Sequence, residues 1–165
     1  MVSIGNAKQH KVKTVTANAT RPDIAYAVNR LASYTANLSL QYITALKQIL
    51  HYLLETRTYD IIYYKVPKYF NFFYGFANAA YVNTDDYKST SGYVFIAKGN
   101  AIIWRSKKQA TIALSSIEVE YVALSKATCK AFWLRNLYAK LKFNQKKPTL
   151  IRGDNNRSIA IMQNS

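Results

Sequence analysis

Residues 75–84 read GFANAAYVNT and close a longer run, YFNFFYGFANAA (69–80), in which aromatic and small residues crowd together without a single charge. Aromatic side chains favour a pleated, half-buried surface, so the run predicts a strand. Next comes TDDYKSTSG (84–92), which combines Asp, Ser, Thr and Gly and reads as a turn, with Asp85 and Asp86 as turn residues. GYVFIAK (92–98) predicts a second strand, and Lys98, Gly99 and Asn100 a short hairpin turn into a third, AIIWRSK (101–107). The segment RSKKQ, Arg105 to Gln109, reads as a flexible polar tail leaving that strand. Its three cations, Arg105, Lys107 and Lys108, are candidate phosphate contacts. Upstream, the β-branched and aromatic YDIIYYKV (59–66) predicts a further strand that ends at Pro67.

Outward from this meander, SSIEVEYVALSKATCKAFWLRNLYAKLKF (115–143) carries apolar residues at Ile117, Tyr121, Leu124, Phe132 and Tyr138, the pattern of one helix or two abutting ones. Ser115 and Glu118 have the spacing of a capping box, which gives Glu118 a structural role. Glu120 lies one turn in, beside the apolar stripe, and has no such role. PTLIRGD (148–154) predicts a short strand with Asp154 at its end, followed by a helix start in NNRSIAIMQNS. On the other side, TRPDIAYAVNRLASY (20–34) opens a helix with Thr20 as N-cap, Pro22 in the first turn and Asp23 near its start. A second helix, SLQYITALKQILHYLLET (39–56), repeats apolar residues at Ile43, Leu46, Leu50, Leu53 and Leu54 as one buried stripe. Residues 1–19 show no periodicity and read as a loose leader.

Composition narrows the chemistry. Lys and Arg total 23 against 8 Asp and Glu, a net charge of +15. An excess of this size favours a polyanionic partner through phosphate neutralisation and counterion release. The single cysteine, Cys129, excludes an internal disulfide and a thiolate zinc cage, and it reads as a small buried helix residue. His51 reads as a structural histidine, because no partner stands at metal-ligand spacing. Five scattered glycines exclude a Gly-rich phosphate cradle. Trp104 and Trp133 sit in apolar contexts and read as packing residues. No apolar run reaches the ~18 residues of a membrane span, and the N-terminus has no apolar core of a secretory signal, so the chain is expected to be intracellular.

The order of elements is two helices, a strand, a three-strand meander, a helix, a strand and a helix start. With Glu120 on the helix and Asp154 after the next strand, this is the layout of an α/β, RNase H-like fold with a mixed sheet. RPDIAYAVNRL (21–31), LKQILHYLLET (46–56), YKSTSGYVF (87–95), IIWRSKKQ (102–109), ALSSIEVEYVAL (113–124), AFWLRNL (131–137) and GDNNRSIAI (153–161) resemble, in order, the C-terminal end of copia-type retrotransposon polyproteins. In that family a helical connection follows the reverse transcriptase and leads into an RNase H domain. The resemblance therefore implies a connection segment over 20–58 and an RNase H-like domain over 59–165.

The resemblance also implies hydrolysis of the RNA strand of an RNA–DNA hybrid by two divalent ions, Mg²⁺ or Mn²⁺, held ~3.5–4 Å apart by clustered carboxylates. Glu120 and Asp154 match two of the family's metal ligands. The family's first strand reads like GYSDADWAGD, so its bridging aspartate falls on Asn78 and its second on Ala80. An asparagine lends a carbonyl oxygen but no charge. Asp85 and Asp86 are poor substitutes, since seven or eight extended residues cover roughly 23–27 Å. The family's last strand and final catalytic residues are expected beyond Ser165. On this reading the fold is incomplete at its C-terminus, and Arg105, Lys107, Lys108 and Arg157 are the candidate contacts to a hybrid or duplex. Three outcomes stay open: a remnant that binds nucleic acid without hydrolysis, an active ribonuclease H, and a decayed fragment without function.

Overall fold

A computed structural model describes residues 17, 19–33, 40–65, 72–82, 87–143 and 145–153. The chain divides into two compact units, Met1–Ile61 and Ile62–Ser165.

The first unit is a pair of helices. A 3₁₀ turn at Pro22–Ile24 leads into α1, Ala25–Ala32, and α2 spans Leu40–Glu55. Proline suits the first turn because its φ is fixed and its missing N–H has no helical partner there. Arg21, not Thr20, occupies the N-cap, and no side chain caps the turn. The Arg21 guanidinium instead reaches Asp23 at 2.8 Å and the Thr56 hydroxyl at 2.6 Å, while the Tyr52 hydroxyl donates to Asp23 at 2.9 Å. These contacts tie the start of α1 to the end of α2. α2 has no fully buried residue, and its packed face is offset from the stripe expected. Ile49 and Leu53 pack on Ala17, Ile24 and Val28, whereas Ile43, Leu50 and Leu54 are exposed. An eight-residue α1 covers only one narrow side of its sixteen-residue partner.

The hydrogen bond from Arg21 holds the Asp23 carboxyl below its ordinary range, helped by Tyr52. A carboxylate depressed in the folded state contributes stability above its unfolded pKa and loses it as pH falls through the folded value. The contribution is therefore expected to fade below about pH 4. Asp23→Asn should remove that part of the acid sensitivity at a cost of about 0.5–1 kcal/mol at neutral pH, the range for a partly exposed pair. Melting curves of both forms on either side of this window check the expectation.

The second unit is a mixed helix and sheet structure. It contains β1 (Phe73–Ala80), β2 (Thr90–Ala97), β3 (Asn100–Lys108), α3 (Ser116–Lys140) and β4 (Ile151–Arg152). The sheet order is β3-β2-β1-β4, with β1, β2 and β3 antiparallel and β4 parallel to β1. A parallel neighbour needs a crossover, and α3 supplies it. The β2–β3 turn places Lys98 and Gly99 at φ 51° and 86°. Two successive left-handed residues match the right-handed twist of a tight hairpin, and Gly99 takes this conformation without strain.

Residues 59–65 do not form the expected strand. They run past the β2–β3 turn and are held there by Tyr64 N–H to Lys98 O, Asn100 Nδ2 to Ile62 O and Tyr63 OH to Ala101 O. A single backbone bond is no ladder, so strand propensity here has no partner to act on.

α3 is one continuous helix. Ser115 Oγ accepts from Glu118 N–H at 3.2 Å, so the expected cap forms, while Glu118 Oε2 reaches back one residue beyond it and accepts from Leu114 N–H at 2.8 Å. Its buried face differs from the aromatic stripe expected. Leu124, Ala127, Ala131 and Leu134 meet Phe73, Ala77, Phe95 and Ala97 of the sheet, and Tyr138 packs alongside, while Tyr121 and Phe132 are exposed. Small alanines at four-residue spacing let the helix approach the sheet, and the rings that fill the gap come from β1 and β2. Phe73 and Phe95 meet edge to face with centroids 5.9 Å apart. Among the described residues no helix is long and apolar enough to cross a membrane.

Candidate functional site

Strand alternation decides which cations of β3 share a surface with α3. Register pairs Tyr93 with Arg105 and Ser91 with Lys107, and Tyr93 packs against the core under the helix. Arg105 and Lys107 therefore stand on the helix face of the sheet. From the opposite wall, α3 presents Lys126, Lys130 and Trp133, which follow one another at i, i+4 and i+7. Together with Lys108, these side chains line a cleft of about 600 Å³ over Ser91 and Tyr93. Among the described residues that line it there is no carboxylate. Burial holds the Lys126 ammonium below its usual pKa, and the charges of Arg105 and Lys107 push the same way. The cleft is thus crowded with like charge, and a bound anion relieves the repulsion.

Three readings of the sequence change here. Arg105–Lys108 are strand residues, not a flexible tail, and Gln109 is buried to 2% exposure. Its Nε2 donates to Ser91 Oγ at 2.6 Å and to Val119 O at 3.1 Å, tying the end of β3 to β2 and the first turn of α3. Nothing but its place after a charged run marks Gln109 in the sequence. Trp133, expected in the packing, is 49% exposed, and the Lys130 ammonium lies 3.8 Å from its ring centroid. Cys129, expected buried, is exposed beside it. The spacing of Lys126, Lys130 and Trp133 was legible as one helix face; the exposed aromatic on it was not.

The second group of candidates lies where α3 meets β1. Glu120 is 6% exposed, and its Oε1 accepts from Ala79 N–H at 3.2 Å. The carboxylate therefore meets the strand at the peptide that follows Asn78. Asn78 pairs with Gly92 and is exposed, on the alternation opposite to Ala77, which is in the core. β4 pairs Phe76 with Arg152. Asn78 and Asp154 each lie two residues further along their own segments, and Asp154, Arg157, Asp85 and Asp86 are outside the described residues.

Among the described residues no three of His, Cys, Asp and Glu gather into a cation site. Two dications need several converging carboxylates. Glu120 is one, buried and bonded to a peptide N–H, and Asn78 brings no charge. The described residues do not fit a two-metal centre.

No family model matches the chain, and no solved structure matches it. Curated proteins do. A secreted RxLR effector protein 161 from Plasmopara viticola is 41% identical over 116 residues, which are 70% of this chain and 80% of that protein. The retrovirus-related Pol polyprotein from transposon RE1 of Arabidopsis thaliana is 36% identical over 136 residues, 82% of this chain and 9% of the relative. The corresponding polyprotein from transposon TNT 1-94 of Nicotiana tabacum is 34% identical over 147 residues, 88% of this chain and 11% of the relative. The chain spans about a tenth of the length of these polyproteins.

Proposed function

This chain belongs to the family of copia-type retrotransposon Pol polyproteins, of which it matches one segment, and we propose that its second unit is an RNase H-like domain that binds nucleic acid without hydrolysing it. The supporting observation is the cleft itself. Cations from β3 and α3 converge on it, with no carboxylate among its described lining residues. An RNA–DNA hybrid or another duplex offers the regularly spaced phosphates that such a surface neutralises.

Loss of hydrolysis follows from charge. At the strand position where the family carries its bridging aspartate stands Asn78, and Glu120, which meets the strand at the Ala79 N–H, is the one buried carboxylate among the described residues. Binding and cleavage therefore separate in one experiment on a labelled RNA–DNA hybrid in Mg²⁺. The expected result is an affinity that falls steeply with salt, with no loss of full-length RNA. Affinity that stays flat across salt removes the binding reading. RNA cleavage that vanishes in Glu120→Gln establishes an active nuclease instead.

The effector relative supports a second reading, because 80% of its length is matched by this chain. In that reading the same segment works as a short freestanding protein. A cellular product of this chain's own length supports it, and detection only as part of a much larger polypeptide overturns it.

A further inference from the structure

Resting on the nucleic-acid reading above, we propose that the cleft between β3 and α3 takes a single-stranded segment, with a base stacked on Trp133 and the flanking phosphates on Arg105, Lys107 and Lys126.

Three observations carry this. An indole 49% exposed at the lip of a basic cleft is neither core nor ordinary surface. Its exposure leaves apolar area in water that a base would cover, and every base has a π-face that stacks on it. Next, the Lys130 ammonium already sits over this ring at 3.8 Å. It holds the indole through a cation–π contact and stands within reach of a phosphate next to a stacked base. Finally, the cations of the two walls face one another across a concave space of about 600 Å³. That is the scale of small-ligand pockets, roughly 300–1,000 Å³, and suits one or two splayed nucleotides. A duplex keeps its bases stacked on one another and presents grooves and backbone, so it gives Trp133 nothing to stack on. An acidic peptide satisfies the lysines but leaves the indole without a matching partner.

The test is equilibrium binding of a short labelled oligouridine to the full chain and to Trp133→Ala and Trp133→Phe, with RNA–DNA hybrid measured in parallel. Trp133→Ala should weaken oligouridine binding about 10-fold or more, within the range for one stacked base. Trp133→Phe should retain most of the affinity, and hybrid binding should change little in either variant. An abasic oligonucleotide of equal charge should bind more weakly than oligouridine and ignore Trp133. Oligouridine affinity that is unchanged in Trp133→Ala, with a cooperative melt showing the variant folded, overturns the inference while leaving hybrid binding intact. A poly-glutamate peptide that competes as well as oligouridine also overturns it, in favour of an acidic protein partner. A chain that binds neither nucleic acid overturns this inference together with the reading beneath it.

Discussion

Reversing two charges, Arg105→Glu with Lys107→Glu, should lower hybrid affinity at least ~100-fold and flatten its salt dependence by about two phosphate contacts. Both residues lie on the helix face of β3 and point their charge into the cleft with Lys126 and Lys130. Neutralisation removes two contacts; reversal adds repulsion toward each phosphate that the α3 lysines still hold. The double variant should also release Lys126. Its pKa is held down first by burial and then by Arg105 and Lys107, so two carboxylates in their place should raise it. NMR titration of the Lys126 side chain reads this directly, and a cooperative melt shows that the fold survives. Unchanged affinity, in a folded variant, moves the binding surface away from the cleft.

Gly75→Val should destabilise the second unit by about 3 kcal/mol, at the upper end of overpacking costs. Gly75 is the cross-strand partner of Phe95. A Cβ at this position meets Phe95 Cε1 at 2.5 Å and Cδ1 at 2.8 Å, closer than side chains approach. The ring has no room to retreat, because Phe95 is fully buried and packs against Phe73 and Tyr93. Gly75→Ala should cost less, since it adds the Cβ without the two γ methyl groups of valine, and losing the flexible glycine backbone offsets ~0.5–1 kcal/mol in either variant. Urea midpoints measure both. Phe95→Ala added to Gly75→Val should cost much less than the sum of the two single changes, because it removes the atom that clashes. Additive effects exclude the steric account.

Much of the second unit can be read from local chemistry. The meander follows from three apolar runs separated by turn residues, and the hairpin from a glycine where the chain needs a left-handed φ. The helix start follows from Ser115 and Glu118, whose side chains satisfy N–H groups at its end. Misreadings arise wherever the outcome depends on a neighbour. Residues 59–65 have strand composition but find only the outside of a turn. In α3 the large apolar residues suggest an aromatic buried face, yet sheet rings take the volume and the helix contributes alanine. Gln109 reads as part of a polar tail because its two acceptors, Ser91 and Val119, are distant in sequence. For the candidate site, the cations of β3 were legible from charge alone, whereas their partners on α3 required knowing which side of the helix the sheet leaves open.

The strand order also governs how this unit is made on the ribosome. β1, β2 and β3 all precede α3 in the chain, so the three meander strands emerge from the ribosome before the helix that covers them. Phe73 and Phe95 then face solvent or a chaperone until Leu134 has emerged, and β1 keeps one free edge until Ile151 joins it. Vectorial synthesis thus leaves this apolar face of the sheet bare over the stretch in which α3 emerges. Premature termination there leaves an aggregation-prone product rather than a smaller domain.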